Sequence, residues 1–444
     1  MLPETCLSPY GKRSAEPSPV SRMMAAFAAD FRDGIDINLG VGYISESTVP
    51  KARFAEAFND VLTHPERHRA AFNYGGPRGS ANLLQAVKGF LMRHHGVPSA
   101  SFARNRLMIG ASGASSILEG LAHVLPRGLV VTADPMYYIY CNFLQRMGFD
   151  LLTVPEDDEG IDVDSLTQKL ESLGAADRAR VQFFYVVTVN NPSCRVLSNR
   201  RRDRLVEAVA AFSRRAGRKI PLILDCAYET LVHGPGMEQP RSALPADDLG
   251  LVYEVSSLSK ILAPAIRIGT MIGPDTPLFR AMVQRTSDVG FSAPMLAQEM
   301  AAVMLERYVD EQVNKVKRMY RRKAEEVEVA LNTQLGDAVE NYTGGHAGFY
   351  YYVTLRDLET TEDSPFFRYL TRSTGDARID APRGETGTRV IVIPGQYFVH
   401  PRGDLAEAGK RQFRLSYGFE EISRIESALA VIGDAITAQG AGER

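Results

Sequence analysis

Residues 181–189 read VQFFYVVTV, a run in which apolar residues follow one another without the polar alternation of a half-exposed strand. The runs GLVVTA at 128–133 and PLILDC at 221–226 have the same character. Strands that are apolar on both faces are typical of parallel sheets with helices on each side. The segment 117–124, before GLVVTA, has apolar residues at helical spacing. The sequence therefore predicts an α/β fold with a mainly parallel sheet.

A smaller unit is predicted after this sheet region, which spans roughly residues 60–300. From position 300 to 335 the chain is rich in charge and contains no glycine or proline, which predicts one long connecting helix. Three short apolar runs and a final helix from about residue 421 then predict a smaller α+β domain. The three runs lie at residues 348–355, 389–394 and 412–418.

The first 20 residues are rich in proline and serine, which predicts a loose lead-in rather than a packed element. We therefore divide the chain into three parts. They are an N-terminal arm (1–30), a large domain (60–305) and a small domain formed by 31–59 and 306–444.

The composition is that of a folded globular protein of 444 residues, with 45% hydrophobic and 23% charged residues. Basic and acidic residues nearly balance, 51 against 53, and no basic block indicates a nucleic-acid surface. The four cysteines include no C-x-x-C pair, which argues against a zinc ribbon or a disulfide framework. We expect a cytoplasmic protein with no membrane partner, because neither a signal peptide nor a run of about 18 apolar residues is present.

Polar residues stand where the predicted strands end, and open α/β sheets bind their ligands at such ends. Asp225 follows the apolar run PLIL, Asn191 follows VQFFYVVTV, and Lys260 follows VYEVSSLS. The segment 112–114 (SGA) begins a helix after the apolar run LMIGA. Each residue alone has an ordinary interpretation as a turn or surface residue. Their common position predicts a ligand site.

The segment 257–269, SLSKILAPAIRIG, resembles the motif S-x-S-K-x-x-x-P-G-x-R-x-G of pyridoxal-5'-phosphate (PLP) enzymes of fold type I, in particular the class I and II aminotransferases. Seven further motifs resemble those of the family and occur in its order. They are NLGVG at 38–42, which ends in Gly42; Tyr74 in NYGGPRGSANLLQAV; the turn Ser112-Gly113-Ala114; Tyr137 in DPMYYIY; Asn191-Pro192; Asp225-Cys226-Ala227-Tyr228; and Arg414 in FRLSYG. The resemblance implies PLP as cofactor and a mainly parallel, seven-stranded sheet with helices on both faces plus a smaller α+β domain.

The resemblance gives the residues around the cofactor ring their roles. Lys260 forms an imine with PLP and carries the substrate proton, and lysine suits this because it is a primary amine whose pKa falls on burial. Asp225 keeps the pyridine nitrogen protonated, so that the ring can absorb electrons. Tyr228 and Asn191 hydrogen-bond the phenolic oxygen of the ring.

The cofactor phosphate is expected at the start of the helix after Ser112, where Gly113 and Ala114 offer backbone N–H groups. Ser257 adds a hydroxyl, and the guanidinium of Arg267 can bind two phosphate oxygens.

The remaining predicted residues contact the ring face or the substrate. Tyr137 stacks on the cofactor ring, although Tyr138 and Tyr140 leave open which tyrosine does so. Arg414 binds the substrate carboxylate with its two-pronged guanidinium, unless it is a solvent-facing strand residue. The segment that ends in Gly42 caps the same carboxylate, and Asn191 also contacts the substrate.

Three departures from the family pattern stand out. Cys194 replaces the glycine of N-P-T-G, and Ala265 replaces the glycine of the lysine motif; both are small, and local backbone changes can accommodate them. GYISESTVP at 42–50 stands where many relatives have an acidic segment, which leaves the substrate open. The eight histidines have no metal-ligand spacing, so we expect no metal, and neither a dinucleotide fingerprint nor a P-loop is present.

The resemblance implies amino-group transfer from an amino acid to a 2-oxo acid by a ping-pong route, in a homodimer in which Tyr74 reaches the partner's cofactor phosphate. A PLP-dependent lyase, decarboxylase or racemase is the alternative within the same chemistry. A non-catalytic PLP sensor is disfavoured because Lys260, Asp225, Tyr228 and Arg414 are all present. The lysine segment is most similar to the branch with aminoadipate and aromatic aminotransferases and the aminotransferase-like halves of certain regulators. With NLGVG at position 38, we expect no room for the DNA-binding domain of those regulators.

Overall fold

Helices and strands alternate through residues 5–384 and 386–440, the part of the chain that this computed structural model describes. The helices are α1 (Pro9–Ser14), α2 (Pro19–Ala28), α3 (Lys51–Thr63), α4 (Ala81–His94), α5 (Ser101–Arg104), α6 (Gly113–Val124), α7 (Tyr138–Met147), α8 (Val163–Ser172), α9 (Ala175–Arg180), α10 (Asn199–Ala216), α11 (Pro277–Gly290), α12 (Met295–Arg307), α13 (Val309–Leu335), α14 (Pro365–Thr371), α15 (Ala377–Asp380) and α16 (Ile422–Gly440). The strands are β1 (Ile37–Asn38), β2 (Asn105–Ile109), β3 (Leu129–Asp134), β4 (Asp150–Asp157), β5 (Gly160–Ile161), β6 (Val181–Val187), β7 (Leu222–Asp225), β8 (Val252–Ser257), β9 (Gly269–Pro274), β10 (Val339–Gly344), β11 (Tyr350–Leu355), β12 (Val390–Ile391), β13 (Ile393–Pro394) and β14 (Gln412–Ser416).

The large sheet has the strand order β2-β9-β8-β7-β6-β3-β4-β5. The strands from β8 to β4 run parallel, whereas β9 is antiparallel to both β8 and β2. Strands β3 and β7 are buried at every position, as their apolar runs predict, and β8 is buried at every position as well. The mainly parallel α/β fold is therefore confirmed. The one addition to the expected seven strands is β5, a two-residue strand that pairs with the end of β4.

Hydrophobic residues pack against both faces of this sheet. Along β3, Val131 belongs to one core cluster and Val130 to another, and along β6 Phe184 and Phe183 divide in the same way. Since successive side chains of a strand point to opposite faces, the two clusters lie on opposite sides of the sheet. Helix α10 contributes to the first cluster and α6 to the second.

A second sheet has the antiparallel order β10-β11-β14-β13, and β1 pairs in parallel with β12. The sequence prediction missed β10, because its residues VENYTG are half-exposed and carry no apolar run. The predicted strand at 389–394 is interrupted at Val392, so that β12 pairs with β1 while β13 pairs with β14. The sheet places Arg414 of β14 opposite Tyr352 of β11.

The first 20 residues contain helix α1, which has no buried residue, and the start of α2 where a loose lead-in is expected; residues 1–4 lie outside the described residues. Ser8 and Ser18 cap α1 and α2, and each helix begins with a proline, which is well tolerated in the first turn. Val20, Met23 and Phe27 of α2 are buried in a cluster with aliphatic and aromatic residues of the second sheet. Serine and proline here begin helices rather than prevent them.

The predicted single helix at 300–335 is wrong in one respect. Helix α12 ends at Arg307 and α13 begins at Val309, with Tyr308 between them outside helical geometry at φ −127°. No glycine or proline marks this break, which is why the sequence did not reveal it. In the described part of the chain, no helix is both long enough and apolar enough to span a membrane.

Candidate active site

Lys260 follows β8 and reaches into a cavity at the carboxyl ends of the parallel strands. Its Nζ donates a hydrogen bond of 3.1 Å to the carbonyl of Gly42 and lies 5.3 Å from the ring centre of Tyr228. Desolvation, together with the positive charges of Arg414 and Arg267, lowers the pKa of Lys260 to about 8. A substantial fraction of this amine is therefore neutral near physiological pH, as a nucleophile for a carbonyl must be.

Asp225 is the last residue of β7 and is 5% exposed. Its carboxylate accepts hydrogen bonds from the hydroxyl of Tyr185 at 2.9 Å and from the backbone N–H of Ala227 at 3.1 Å. Burial raises the pKa of Asp225 despite the Tyr185 hydrogen bond. No cation lies within salt-bridge distance of it among residues 5–384 and 386–440. A positively charged group placed in the cavity would offset this buried negative charge.

The turn before α6 and the arginine after the lysine form one unit. Arg267 donates to the carbonyl of Ser112 at 3.1 Å, and its own carbonyl accepts from the N–H of Gly113 at 2.7 Å. Gly113 has φ +68°, and a Cβ there would lie 2.6 Å from Arg267 Nη2, so both the backbone angle and the space require glycine. The N–H of Gly113 is thus already used, and the expectation that it binds the phosphate is wrong. The side chain of Ser112 does not cap α6, so the N–H groups that follow Gly113, beginning with Ala114, remain available to an anion.

Most of the predicted cofactor residues line the same cavity. The lining residues are Ala114, Ser115, Leu118, Tyr137, Val187, Asn191, Asp225, Ala227, Tyr228, Ser257, Ser259, Lys260, Pro264 and Arg267. Tyr137 is among them and Tyr138 and Tyr140 are not. The structure therefore brings eight predicted cofactor residues together at one site, whereas Ser112 and Gly113 are not among the lining residues.

Arg414 is not among the lining residues but contacts Asn191, which is, and it is 3% exposed. One Nη donates to Asn191 Oδ1 at 2.7 Å, and the other donates to the carbonyl of Gly40. Its Nε has no hydrogen-bond partner within the described residues. The alternative of a solvent-facing strand residue is excluded, and a buried guanidinium with a free donor suits a carboxylate.

Tyr350 is the functional candidate that the sequence interpretation missed. Its hydroxyl lies 2.9 Å from that of Tyr228, and its ring lies 4.3 Å from Cζ of Arg414. A Cβ at Gly42 would lie 2.5 Å from the Tyr350 hydroxyl, which explains glycine at that position. The only signal in the sequence was the aromatic run GFYYYV, which reads as a core strand.

Tyr74 is not part of this cavity. Its side chain is 78% exposed and packs against Phe291, with ring centres 5.0 Å apart. Phe72 beside it is 68% exposed. Within one chain, Tyr74 therefore belongs to an exposed aromatic patch and not to the site.

The departures from the family motif have physical explanations. Cys194 keeps the left-handed backbone that a glycine would favour, with φ 54°, so the expected backbone change is not found. Ala265 lies within a 3₁₀ turn, Pro264–Ile266, and has no positive φ, so glycine is not needed there. In the segment 42–50, Ser45 caps the short turn Glu46–Thr48.

Comparison with known proteins agrees with this geometry. The sequence profile of the family described as aminotransferase class I and II matches residues 35–399. This chain belongs to that family. It is an aminotransferase with the fold of PLP-dependent transferases of type I.

Several relatives of this aminotransferase carry names. It is 25% identical to aromatic-amino-acid aminotransferase 1 of Thermococcus litoralis, over 72% of this chain and 73% of the relative. It is 27% identical to 2-aminoadipate transaminase of Thermus thermophilus, over 73% and 76%. An uncharacterized HTH-type transcriptional regulator of Bacillus subtilis, YisV, is 25% identical over 88% of this chain and 72% of the regulator. The solved multiple substrate aminotransferase of Thermococcus profundus covers 96% of each chain with a TM-score of 0.80 at 21% identity, which supports the fold.

Proposed function

We propose that this aminotransferase moves an amino group between an amino acid and a 2-oxo acid in two half-reactions, with PLP joined to Lys260 as an imine. The observation that carries the proposal is the partly neutral amine of Lys260 in one cavity with the buried carboxylate of Asp225. An aldehyde cofactor needs the first group, and a protonated ring nitrogen needs the second. Two relatives named as aminotransferases support the reaction class.

The residues of the cavity fit PLP at three separate points. Asp225 is a buried carboxylate without a paired cation in the described chain, and it suits the ring nitrogen. The uncapped start of α6, with Arg267 and Ser257 beside it, suits the phosphate. Tyr228 and Tyr137 line the space between them. Bound PLP supplies an electron sink for the carbanion formed at the substrate Cα.

The side chains of this chain then have separate tasks. Arg414 and Asn191 orient the substrate carboxylate next to Gly42, since the guanidinium retains a free buried donor. Lys260 would hold or move the substrate proton, because a pKa of about 8 lets its amine both accept and release one at neutral pH. Tyr228 would donate a hydrogen bond from its hydroxyl to the phenolic oxygen of the cofactor.

We also propose a homodimer in which Tyr74 of each chain completes the phosphate site of the other. The support is the exposed contact between Tyr74 and Phe291, outside the cavity of their own chain, with Phe72 also exposed two positions before Tyr74. Exposed aromatic patches of this kind mark protein interfaces. Sedimentation of the purified protein tests this, and a monomer at all concentrations would contradict it.

The decisive experiment is to replace Lys260 with alanine and treat the PLP-loaded protein with borohydride. The parent chain is expected to yield a stable adduct on the peptide that contains Lys260, and Lys260→Ala is expected to yield none and to lose nearly all activity. Lys323→Met is the matched control, because Lys323 is also a buried lysine with a lowered pKa but lies outside the cavity. An adduct on another lysine, or an unchanged adduct in Lys260→Ala, would overturn the assignment.

The same preparation separates transfer from the alternative lyase or decarboxylase chemistry. PLP-loaded protein is mixed with single amino acids without an acceptor. Accumulation of the amino form of the cofactor supports transfer, whereas release of pyruvate or carbon dioxide supports the alternative. A panel of acidic and aromatic amino acids then identifies the donor.

A further inference from the structure

The hydroxyl of Tyr350 contacts a residue of the cavity wall, although the side chain itself is buried in the core. Tyr350 is the first residue of β11 and is 1% exposed. Its hydroxyl lies 2.9 Å from the hydroxyl of Tyr228. Within the described residues, this is the one hydrogen bond that the side chain of Tyr350 makes. Tyr351, its neighbour, instead donates to the carbonyl of Ala324 in α13, away from the cavity.

We propose that Tyr350 is a positioning residue: its hydroxyl donates a hydrogen bond to the hydroxyl oxygen of Tyr228. This contact keeps the O–H group of Tyr228 directed at the cofactor. The proposal rests on the proposed function, because the phenolic oxygen of PLP is the acceptor for Tyr228. Each hydroxyl has one proton, so only one of the two tyrosines can donate across the 2.9 Å contact. If Tyr350 donates, the proton of Tyr228 is free for the cavity.

The charges around the pair favour this direction. The guanidinium of Arg414 lies 4.3 Å from the ring centre of Tyr350. Burial raises the pKa of both phenols. The positive charge of Arg414 opposes this rise, and its effect on the pKa is second only to burial at Tyr350 but is a minor one at Tyr228. The more acidic phenol is the better donor, so Tyr350 donates and Tyr228 accepts.

Other titratable groups face the pair from the surrounding elements. Lys260 lies 5.3 Å from the ring centre of Tyr228, and Tyr137 faces the same hydroxyl. Cys194 and Tyr138 face Tyr350. Burial raises the pKa of the Cys194 thiol to about 12, so it stays neutral. Among the described residues, Arg414 is thus the cation whose charge acts on both tyrosines.

A donated hydrogen bond makes the acceptor hydroxyl a stronger donor in turn, by roughly 10–30% per bond. Tyr228 then stabilises the ionised phenolic oxygen of the cofactor more strongly, which lowers the pH at which the cofactor imine loses its proton. Removing the hydroxyl of Tyr350 is therefore expected to raise that pH.

The test is a titration of cofactor absorbance against pH in PLP-loaded parent, Tyr350→Phe and Tyr351→Phe, without substrate. Tyr350→Phe is expected to raise the midpoint by roughly 0.2–0.5 pH unit. Tyr351→Phe loses a buried hydroxyl from the same strand and is expected to leave the midpoint unchanged. A fall of the midpoint in Tyr350→Phe would mean that Tyr228 donates to Tyr350, and no change would mean that the contact has no effect; either result overturns the proposal.

A double-mutant cycle guards against an indirect effect of the substitution. In a Tyr228→Phe background, Tyr350→Phe is expected to produce no further shift, because the hydroxyl that transmits the effect is gone. An equal shift with and without Tyr228 would show that Tyr350 does not act through it. If the parent itself shows no cofactor absorbance, the proposed function fails, whereas a normal parent titration with an unshifted Tyr350→Phe defeats this inference alone.

Discussion

Asp225 and Glu229 are two buried carboxylates with different surroundings. Asp225 is the last residue of β7, and Glu229 follows it by four positions. Glu229 is 2% exposed and accepts hydrogen bonds from Arg202 at 2.6 Å and His95 at 2.9 Å. Burial alone would raise its pKa, but Arg202 and His95 outweigh it and lower the pKa to about 2. Asp225 has only neutral donors, and burial raises its pKa.

This difference distinguishes a buried carboxylate that stabilises the fold, Glu229, from one that is available to a ligand, Asp225. Arg202 is fully buried, so the charges of Glu229 and Arg202 neutralise each other within the fold. Asp225 carries a desolvation cost that the charge of Lys260 only partly offsets, and no cation of the described chain forms a salt bridge with it. A carboxylate of that kind at the wall of a cavity is a group prepared for a positively charged ligand.

The largest expected effect comes from removing the paired carboxylate. Glu229→Gln leaves the buried guanidinium of Arg202 without its main counter-ion and is expected to cost about 3–5 kcal/mol of unfolding free energy. Urea unfolding of the cofactor-free protein measures this. Glu340→Gln is the matched control, since Glu340 pairs with Arg411 on the surface and is expected to cost less than about 1 kcal/mol. Equal losses in the two variants would break the comparison.

The second prediction concerns the unpaired carboxylate. Asp225→Asn is expected to lower kcat by roughly 10²–10³-fold, because the negative charge beside the ring nitrogen is lost. The unfolding free energy of the cofactor-free variant is expected to stay level or to rise, because a buried uncompensated charge has been removed. A marked loss of cofactor-free stability would mean that Asp225 is a structural residue like Glu229.

The sequence revealed Asp225 and Lys260 because their position depends only on where parallel strands end, and the apolar runs mark those ends. Asn191 follows β6 and could be found for the same reason, whereas Arg267 was found from its spacing of seven positions after Lys260. This information is local in the chain.

The sequence did not reveal Tyr350 or the partners of Glu229. Tyr350 meets Tyr228 across 122 positions, and His95 meets Glu229 across 134, so neither contact has a local signal. The N-terminal helices were missed for another reason: Ser8 and Ser18 cap helices of which the first has no buried residue and the second buries only three. Local polarity alone did not distinguish a capped helix from a loop.

Glu156 is a third buried carboxylate, intermediate between the other two. Its side chain is 3% exposed and accepts from Asn190 at 2.8 Å, but the guanidinium of Arg195 lies 4.0 Å away instead of the 2.6 Å between Arg202 and Glu229. Burial raises the pKa of Glu156 from 4.5 to about 7, and Ser193 and Arg195 only reduce the shift. Distance to the cation thus separates Glu156 from Glu229.

The last and smallest effect is a pH dependence with a defined sign. Because the pKa of Glu156 is higher in the folded chain than in the unfolded chain, the folded state binds the proton more tightly, and stability from this group is lost as the pH rises from about 4.5 to about 7. Glu156→Gln removes that loss, so it is expected to match the parent in unfolding free energy at pH 5 and to exceed it by up to about 3 kcal/mol at pH 8. Urea unfolding at the two pH values measures the difference, with Asp158→Asn as control, since Asp158 also pairs with Arg195 but is 98% exposed. If the difference in unfolding free energy between Glu156→Gln and the parent is the same at both pH values, Glu156 is ionised in the folded chain throughout, as Glu229 is. In that case a guanidinium at 4.0 Å neutralises a buried carboxylate as well as one at 2.6 Å does.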